Sequence, residues 1–323
     1  MPLHRRHLID IADFSRDEFD SVLETAVSMR QVLERPISRV PTLRGKSIVN
    51  VFFEASTRTR VSFELAGKSL SADVVNVASS GSSIEKGESL IDTFHTIQAL
   101  GADLVVLRHP KAGAPDLAAR NLSCSVVNAG DGLRGHPSQA LLDLFTVQQH
   151  TGDLEGLKIV IVGDVLHSRV ARSGIWAFAR MGAHVYLSGP PTLLPQHFNK
   201  LVNGDGIVRI EYDLDRAIDG ADVVMALRIQ KERMHLGMLP DLREYARRWG
   251  ITSARLSRAD RRALLMHPGP MNQGIEISPD VAYGEHSVIS EQVTNGVAVR
   301  MAILYLLLAG TPTCPDIRLS PYD

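Results

Sequence analysis

Five consecutive side chains, Ser56-Thr57-Arg58-Thr59-Arg60, can all donate hydrogen bonds, and they sit between the apolar run SIVNVFF and a segment with helical spacing. A helix start offers unpaired backbone amides and the positive end of the helix dipole, so hydroxyl and guanidinium groups placed there suit a phosphate. One hydroxyl alone would read as an ordinary N-cap. Five donors at the carboxyl end of a strand, where open α/β sheets bind ligands, read as an anion site. The sequence has no GxxxxGK[ST] loop, so a nucleoside triphosphate is not the natural guest.

Two more strand ends in the same half carry donors. Arg108-His109-Pro110 follows DLVVL, and an arginine there can face an oxygen that becomes negative during a reaction. The stretch from Asn128 to Gln139 follows SVVNA and delivers His136 and Gln139 to a helix start. His136 alone would pass for a capping residue, and Gly130 and Gly132 for turn glycines. Taken together, the three strand ends are expected to surround one phosphate and an adjacent carbonyl oxygen.

In the second half, Arg169 follows KIVIVGDV, and Arg228-Ile229-Gln230 follows ADVVMAL. Guanidinium groups so placed can grip a carboxylate by two prongs, which suggests a second substrate that carries carboxylates. KIVIVGDVLHSR also has the strand and helix of a dinucleotide site, yet Gly163 stands alone where GxGxxG is required.

The elements that must position these residues alternate along the chain. Ser15 and Glu18 read as a capping box opening a helix. Strand SIVNVFF, a helix over 56–71, strand DVVNVA, a helix over 89–99, strands DLVVL and SVVNA, and a helix from Pro137 then follow. The polar segment HTGDLEG, residues 150–156, marks a boundary. Beyond it come strand KIVIVG, a helix over 169–180, strands HVYLSG, ADVVMAL and ALLMH, and a long apolar helix over 288–309. Strand and helix in series predict an α/β fold of two domains, each a mainly parallel sheet flanked by helices.

Composition agrees with that class: 323 residues suffice for two domains, with 44% hydrophobic and 22% charged residues. A formal net charge of −1 gives no general attraction to nucleic acid or anionic membrane. The arginine-rich stretch holding Arg243, Arg247, Arg248, Arg255, Arg258, Arg261 and Arg262 lacks interleaved aromatics and reads as a solvated helical face. Cys124 and Cys314 have no CxxC spacing, so neither a disulfide framework nor a zinc site is expected. The opening MPLHRRHLIDIADFS has no continuous apolar segment, and a cytoplasmic location is expected. The apolar stretch Met301 to Ala309 is less than half of the ~20 residues a membrane span requires.

With these motifs in order, the chain closely resembles the catalytic chains of the aspartate carbamoyltransferase family. The likeness runs from about residue 5 to residue 310, through FFEASTRTRVSFE, SSIEKGES, LRHP, NAGDGLRGHPSQALLDL, GDVLHSRVARS, LRIQKER and HPGPMNQGIEI. The resemblance implies a carbamoyl-phosphate domain over 1–149, joined by the returning C-terminal helix 288–310, and an aspartate domain over 150–287. It further implies a homotrimer with shared active sites, open to larger assembly with a regulatory chain or a dihydroorotase, and no metal or organic cofactor.

Carried over by motif, Ser56, Thr57, Arg58 and Thr59 bind the phosphate, and Thr59, Arg108 and His136 polarise the carbonyl oxygen. Gln139 and the backbone at Gly269 and Pro270 hold the carbamoyl NH2, and Arg169, Arg228 and Gln230 bind aspartate. Ser82 and Lys86 reach in from a neighbouring subunit, Lys86 toward both substrates. The residues alone give Lys86 only the reading of a solvated lysine. Two positions depart from the commoner pattern: Gly269 stands where many relatives have Leu, and Gln273 follows Asn272 where Arg is usual.

An ornithine carbamoyltransferase would share STRTR and HPxQ. It would carry HCLP in place of His267-Pro268-Gly269-Pro270 and lack the Lys86 loop. An inactive scaffold for other pyrimidine enzymes would have lost site residues, whereas every matched one is retained.

Overall fold

The run Ser47–Phe52 (β1) is β-branched and apolar because it is buried on both faces, as the inner strand of a parallel sheet must be. In the computed structural model, which describes residues 3, 5–78, 89–200, 202, 207–230, 233, 234, 238, 239 and 241–309, helix α1 (Arg16–Leu33) precedes it. After β1 come α2 (Thr57–Ser69), β2 (Asp73–Ala78), α3 (Leu90–Ala99), β3 (Leu104–His109), α4 (Ala114–Asn121) and β4 (Ser125–Asp131). Their four strands form one parallel sheet in the order β2-β1-β3-β4.

The second series begins with α5 (Pro137–Thr151), β5 (Lys158–Val162), α6 (Arg169–Arg180), β6 (His184–Ser188), β7 (Val208–Ile210) and α7 (Leu214–Ile218). It continues through β8 (Val223–Ala226), α8 (Leu242–Trp249), α9 (Ser253–Leu256), β9 (Leu264–Met266) and α10 (Pro279–Ala282) to α11 (Ile289–Leu308). Its sheet is also parallel, in the order β7-β6-β5-β8-β9. In each sheet the strand order reverses beside the first strand, between β1 and β3 in one and between β5 and β8 in the other. Open α/β sheets bind ligands outside the carboxyl ends of the strands at such a reversal.

The two-sheet fold class is as the alternation predicts. Elements not foreseen are short: α4, opened by Gly113 at φ 86°, the edge strand β7 of three residues, and the helices α7, α9 and α10 of four or five residues. The arginine-rich stretch is a solvated helical face only in part: Arg243, Arg247 and Arg248 are exposed on α8, whereas Arg255 is half-buried and paired with Asp215 at 3.0 Å, and Arg258, Arg261 and Arg262 lie outside the helices.

The chain divides into two compact units, Met1–Asp10 with Asp17–Gly132 and Val297–Asp323, and Ile11–Arg16 with Leu133–Gly296. This division differs from one after residue 149 by placing α5 and the start of α11 in the second unit. The reason is polar packing: Thr146 Oγ1 accepts from Asn295 Nδ2 at 3.1 Å, and the backbone N–H of His136 donates to Ser173 Oγ at 2.8 Å. Within the first unit, the remainder of α11 packs against α1. There Arg300 donates to Ser62 Oγ at 2.9 Å and lies over the Phe63 ring at 5.1 Å.

His7 gives the first unit a measurable pH response. Its Nδ1 accepts the backbone N–H of Val126 at 3.1 Å, so protonation there would break the bond. Burial, helped by the charge of Arg6, depresses its pKa from 6.5 to about 4. The unfolded chain therefore binds a proton below pH 6.5 that the folded chain refuses until about pH 4, and the neutral ring's stabilising share fades as pH falls through that window. After discounting for partial exposure, the loss is expected to be roughly 1–2 kcal/mol. Denaturant titrations at pH 7 and pH 4.5 check it, because His7→Gln should flatten that part of the dependence.

Candidate active site

In the first unit, the chain leaves β1 through Phe53, Glu54 and Ala55 and turns into α2. Ser56 is extended at φ −160° and occupies the N-cap position, but its hydroxyl makes no capping bond. Arg60 N is the first α2 amide bonded back along the helix, to Ser56 O at 3.1 Å. The amides of Thr57, Arg58 and Thr59 therefore precede the helical ladder. Thr57 and Arg58 are exposed, and Thr59 is buried.

Arg108, near the end of β3, is braced from two sides. Its Nη2 donates to Glu54 Oε1 at 2.5 Å and its Nη1 to the Ala129 carbonyl of β4 at 3.4 Å. The loop after β4 is set by its own side chains. Asn128 Oδ1 accepts from Gly130 N at 2.8 Å, and Asp131 accepts from Asn128 Nδ2 and Gly113 N, each at 2.9 Å. Gly132 has φ 46°, and a Cβ there would meet Ala112 N at 2.7 Å, so only glycine fits. Thus β1 and β3, the strands flanking the reversal in this sheet, carry Ser56 to Thr59 and Arg108.

In the second unit, Pro137 starts α5, and His136 occupies the cap position without a side-chain capping bond. Its role is therefore not the helix cap that the sequence allowed. The ring is buried, with Nδ1 3.5 Å from Ser138 Oγ. Gln139, also buried, donates from Nε2 to Asp143 Oδ1 at 3.0 Å.

Ser168 caps α6 by accepting from Ala171 N at 3.1 Å, which makes Arg169 the first helical residue, buried at 5% exposure. Two buried carboxylates fasten the segment Arg228-Ile229-Gln230. Asp164 accepts from Gln230 N at 3.2 Å and from His167 Nδ1 at 2.9 Å. Glu276 accepts from Ile229 N at 2.9 Å and from Asn272 N at 2.7 Å. Burial, then the charges of Glu276 and Asp164, push the Tyr245 hydroxyl far above its usual value, so it remains a proton donor. That hydroxyl would lie 2.7 Å from a Cβ at Gly163, whose φ is 122°. The lone glycine of GDVLHSR thus makes room for Tyr245. Here too the residues follow the strands at the reversal, β5 and β8.

The loop His267 to Pro270 follows β9. Gly269, at φ 62°, donates from its backbone to His267 Nδ1 at 2.8 Å, and the Gly269–Pro270 peptide is cis. Gln273 donates to the Tyr283 hydroxyl at 2.7 Å. Ser82 and Lys86 lie outside the described residues. Among the described residues, no cluster of three or more His, Cys, Asp or Glu could hold a metal ion, and no helix is long and apolar enough to cross a membrane.

Sequence reasoning passed over Glu54, Asp164 and Glu276, the carboxylates that hold the arginine and amide groups in place. The available signal was an acidic residue directly after an apolar strand, at Glu54 and Asp164. Nothing local distinguishes Glu276, whose bond to the Arg228-Ile229-Gln230 segment spans 47 positions.

Chemically, the first unit presents cationic and amide donors fit for a phosphate and a polarised carbonyl. The second presents arginines fit for carboxylates. Residues 6–149 match the family model described as the aspartate/ornithine carbamoyltransferase carbamoyl-P binding domain, and residues 155–307 match its Asp/Orn binding domain. The aspartate carbamoyltransferase catalytic subunit of Roseiflexus sp. (strain RS-1) is 62% identical over 94% of this chain and 95% of that protein.

Among solved structures, aspartate transcarbamoylase from Trypanosoma cruzi in complex with N-(phosphonacetyl)-L-aspartic acid is 30% identical, with a TM-score of 0.87, over 95% of this chain and 97% of the other. Ornithine carbamoyltransferase from Pyrococcus furiosus is 26% identical, with a TM-score of 0.88, over 97% of this chain and 100% of the other. With both domain models matched and this level of identity across nearly the whole chain, the protein belongs to the aspartate/ornithine carbamoyltransferase family.

Proposed function

We propose that the protein transfers the carbamoyl group of carbamoyl phosphate to the α-amine of L-aspartate, releasing phosphate and N-carbamoyl-L-aspartate, a step of de novo pyrimidine biosynthesis. The observation that carries this reading is the donor chemistry at the two sheet reversals: a phosphate-type set at β1 and β3, and carboxylate-binding arginines after β5 and β8. Aspartate suits Arg228 and Gln230, whereas the cationic side chain of ornithine would be repelled there. The 62% identity to a protein named for aspartate supports the same choice.

In this reading Ser56, Thr57, Arg58 and Thr59 bind the phosphate, and Arg108, His136 and Thr59 stabilise the oxyanion formed when the amine adds to the carbonyl carbon. Gln139 and the backbone of Gly269 and Pro270 accept from the carbamoyl NH2. Arg169, Arg228 and Gln230 orient aspartate. Addition gives a tetrahedral intermediate; the C–O bond to phosphate then breaks, and the departing phosphate takes the proton of the amine. A pH profile demanding a titrating histidine would count against that last step. The protein works in the cytoplasm as a homotrimer in which Ser82 and Lys86 serve a neighbouring subunit's site.

Incubating the purified chain with carbamoyl phosphate and either aspartate or ornithine tests the reading. Carbamoyl aspartate as the sole product is expected; citrulline would overturn the choice of acceptor, and no product from either would overturn the assigned reaction.

Glu276→Ala provides a finer check. It removes the acceptor for the buried Ile229 N–H, a loss of about 1–3 kcal/mol. The expected result is a KM for aspartate raised about tenfold with little change in the KM for carbamoyl phosphate, measured by steady-state kinetics with each substrate varied.

A further inference from the structure

A buried hydrogen-bond chain links Gln139 to the loop His267 to Pro270 within the second unit. His267 N donates to Gln292 Oε1 at 3.0 Å, Gln292 Nε2 donates to Asp143 Oδ1 at 2.8 Å, and Gln139 Nε2 donates to that same oxygen at 3.0 Å. All four residues are buried, Asp143 completely. At the loop, His267 Nδ1 accepts from Gly269 N at 2.8 Å, so one chain of contacts reaches the backbone at Gly269.

The direction of this chain follows from its members. A backbone N–H can only donate, so Gln292 must turn its carbonyl oxygen toward His267 and its NH2 toward Asp143. Asp143 Oδ1 then receives a second NH2, from Gln139. With its NH2 end committed, the other end of the Gln139 amide is an acceptor. A carboxylate that accepts from two amides thus decides which face of Gln139 is available to a ligand. Without it the amide could rotate by half a turn and present a donor instead.

Resting on the carbamoyl-phosphate reading above, we propose that Asp143 and Gln292 are positioning residues that make the protein choose carbamoyl over acetyl phosphate. Carbamoyl and acetyl phosphate share the phosphate and the carbonyl oxygen and differ where NH2 replaces CH3. Acceptors held in place for two N–H groups are left unsatisfied by a methyl, and a site built around a hydrogen bond discriminates strongly against an analogue lacking the partner. Neither Asp143 nor Gln292 needs to touch the substrate for this. They act through Gln139 and through the loop.

The test compares the full-length wild-type protein with Asp143→Leu, which fills similar space without an acceptor, and with Asp143→Asn, whose carbonyl oxygen can still accept from both glutamines. The readouts are kcat/KM for carbamoyl phosphate at saturating aspartate and the inhibition constant of acetyl phosphate as a competitor. Asp143→Leu is expected to lower kcat/KM for carbamoyl phosphate about 10- to 100-fold, while acetyl phosphate binding changes less than about threefold. Asp143→Asn is expected to recover most of the difference.

A parallel loss for both ligands would mean a merely structural role and would overturn the proposal, as would an unchanged ratio. If Asp143→Leu does not fold, Gln292→Met removes the neighbouring link and is read by the same ratio. The two readings fail differently: a wild-type protein that forms no carbamoyl aspartate defeats the assigned reaction and this proposal together. Normal turnover with selectivity intact in Asp143→Leu or Gln292→Met defeats only the positioning role.

Discussion

Arg58→Ala is expected to lower kcat/KM for carbamoyl phosphate by about 10³-fold, the largest single effect at this site. The side chain stands exposed in the first turn of α2, where the helix dipole and three amides ahead of the ladder already favour an anion. A guanidinium adds two parallel charge-assisted bonds to a phosphate. In the proposed reaction it would also meet the charge that develops as phosphate departs, so both KM and kcat should suffer. Steady-state kinetics with carbamoyl phosphate varied checks the effect. Gln230→Ala should be milder, because the contact proposed for it is to the second substrate and lacks a full charge. Near-full activity in Arg58→Ala would mean that the phosphate site is misplaced. Circular dichroism and thermal melts should match the wild type, since an exposed side chain contributes little to folding.

Arg108→Met is the second large effect, and its signature differs. An oxyanion donor acts mainly in the transition state, so kcat should fall about 10²- to 10³-fold with a smaller change in KM. Removing this arginine also takes from Glu54 a partner at 2.5 Å, in a place where the carboxylate side chain is only 24% exposed. The expected cost to stability is roughly 1–3 kcal/mol, between the values for surface and buried pairs. Adding Glu54→Gln should restore much of that stability and none of the rate. Denaturant unfolding and turnover measured on the same three proteins separate the two consequences. Recovery of activity in the double variant would show that Arg108 serves only to neutralise Glu54.

Much of the scaffold was legible because parallel strands buried on both faces must be short, apolar and β-branched. SIVNVF, LVVLRH and KIVIV declare themselves as β1, β3 and β5 on that ground alone. Donor residues at or beyond the ends of such strands were legible too: Ser56 to Arg60, Arg108, Arg169 and Arg228 all belong to the strands beside the reversal of their own sheet or to the segments that follow them. Less visible were β7, an edge strand of three residues, and α4, opened by a left-handed glycine, since neither has enough length to show a period. The contacts that group α5 with the second unit were hidden for another reason, although the matched first-domain family model ends at residue 149. The boundary after α5 looks polar in the sequence at 150–156, yet Asp143 and Thr146 bond to Gln292 and Asn295, each 149 positions on.

Local sequence therefore determined which residue types stand at which strand ends, because strand and helix periodicity and the chemistry of donor groups are properties of neighbours in the chain. It determined the parallel α/β class for the same reason. Only the tertiary structure decided how those groups are held: Glu54 against Arg108, Asp164 and Glu276 against the backbone of Ile229 and Gln230, and Asp143 between two glutamines. Apart from the short link between Gln139 and Asp143, these bonds join residues 47 to 149 positions apart. A buried carboxylate leaves no periodic trace, since its place depends on distant donors it must satisfy as well as on neighbours in sequence.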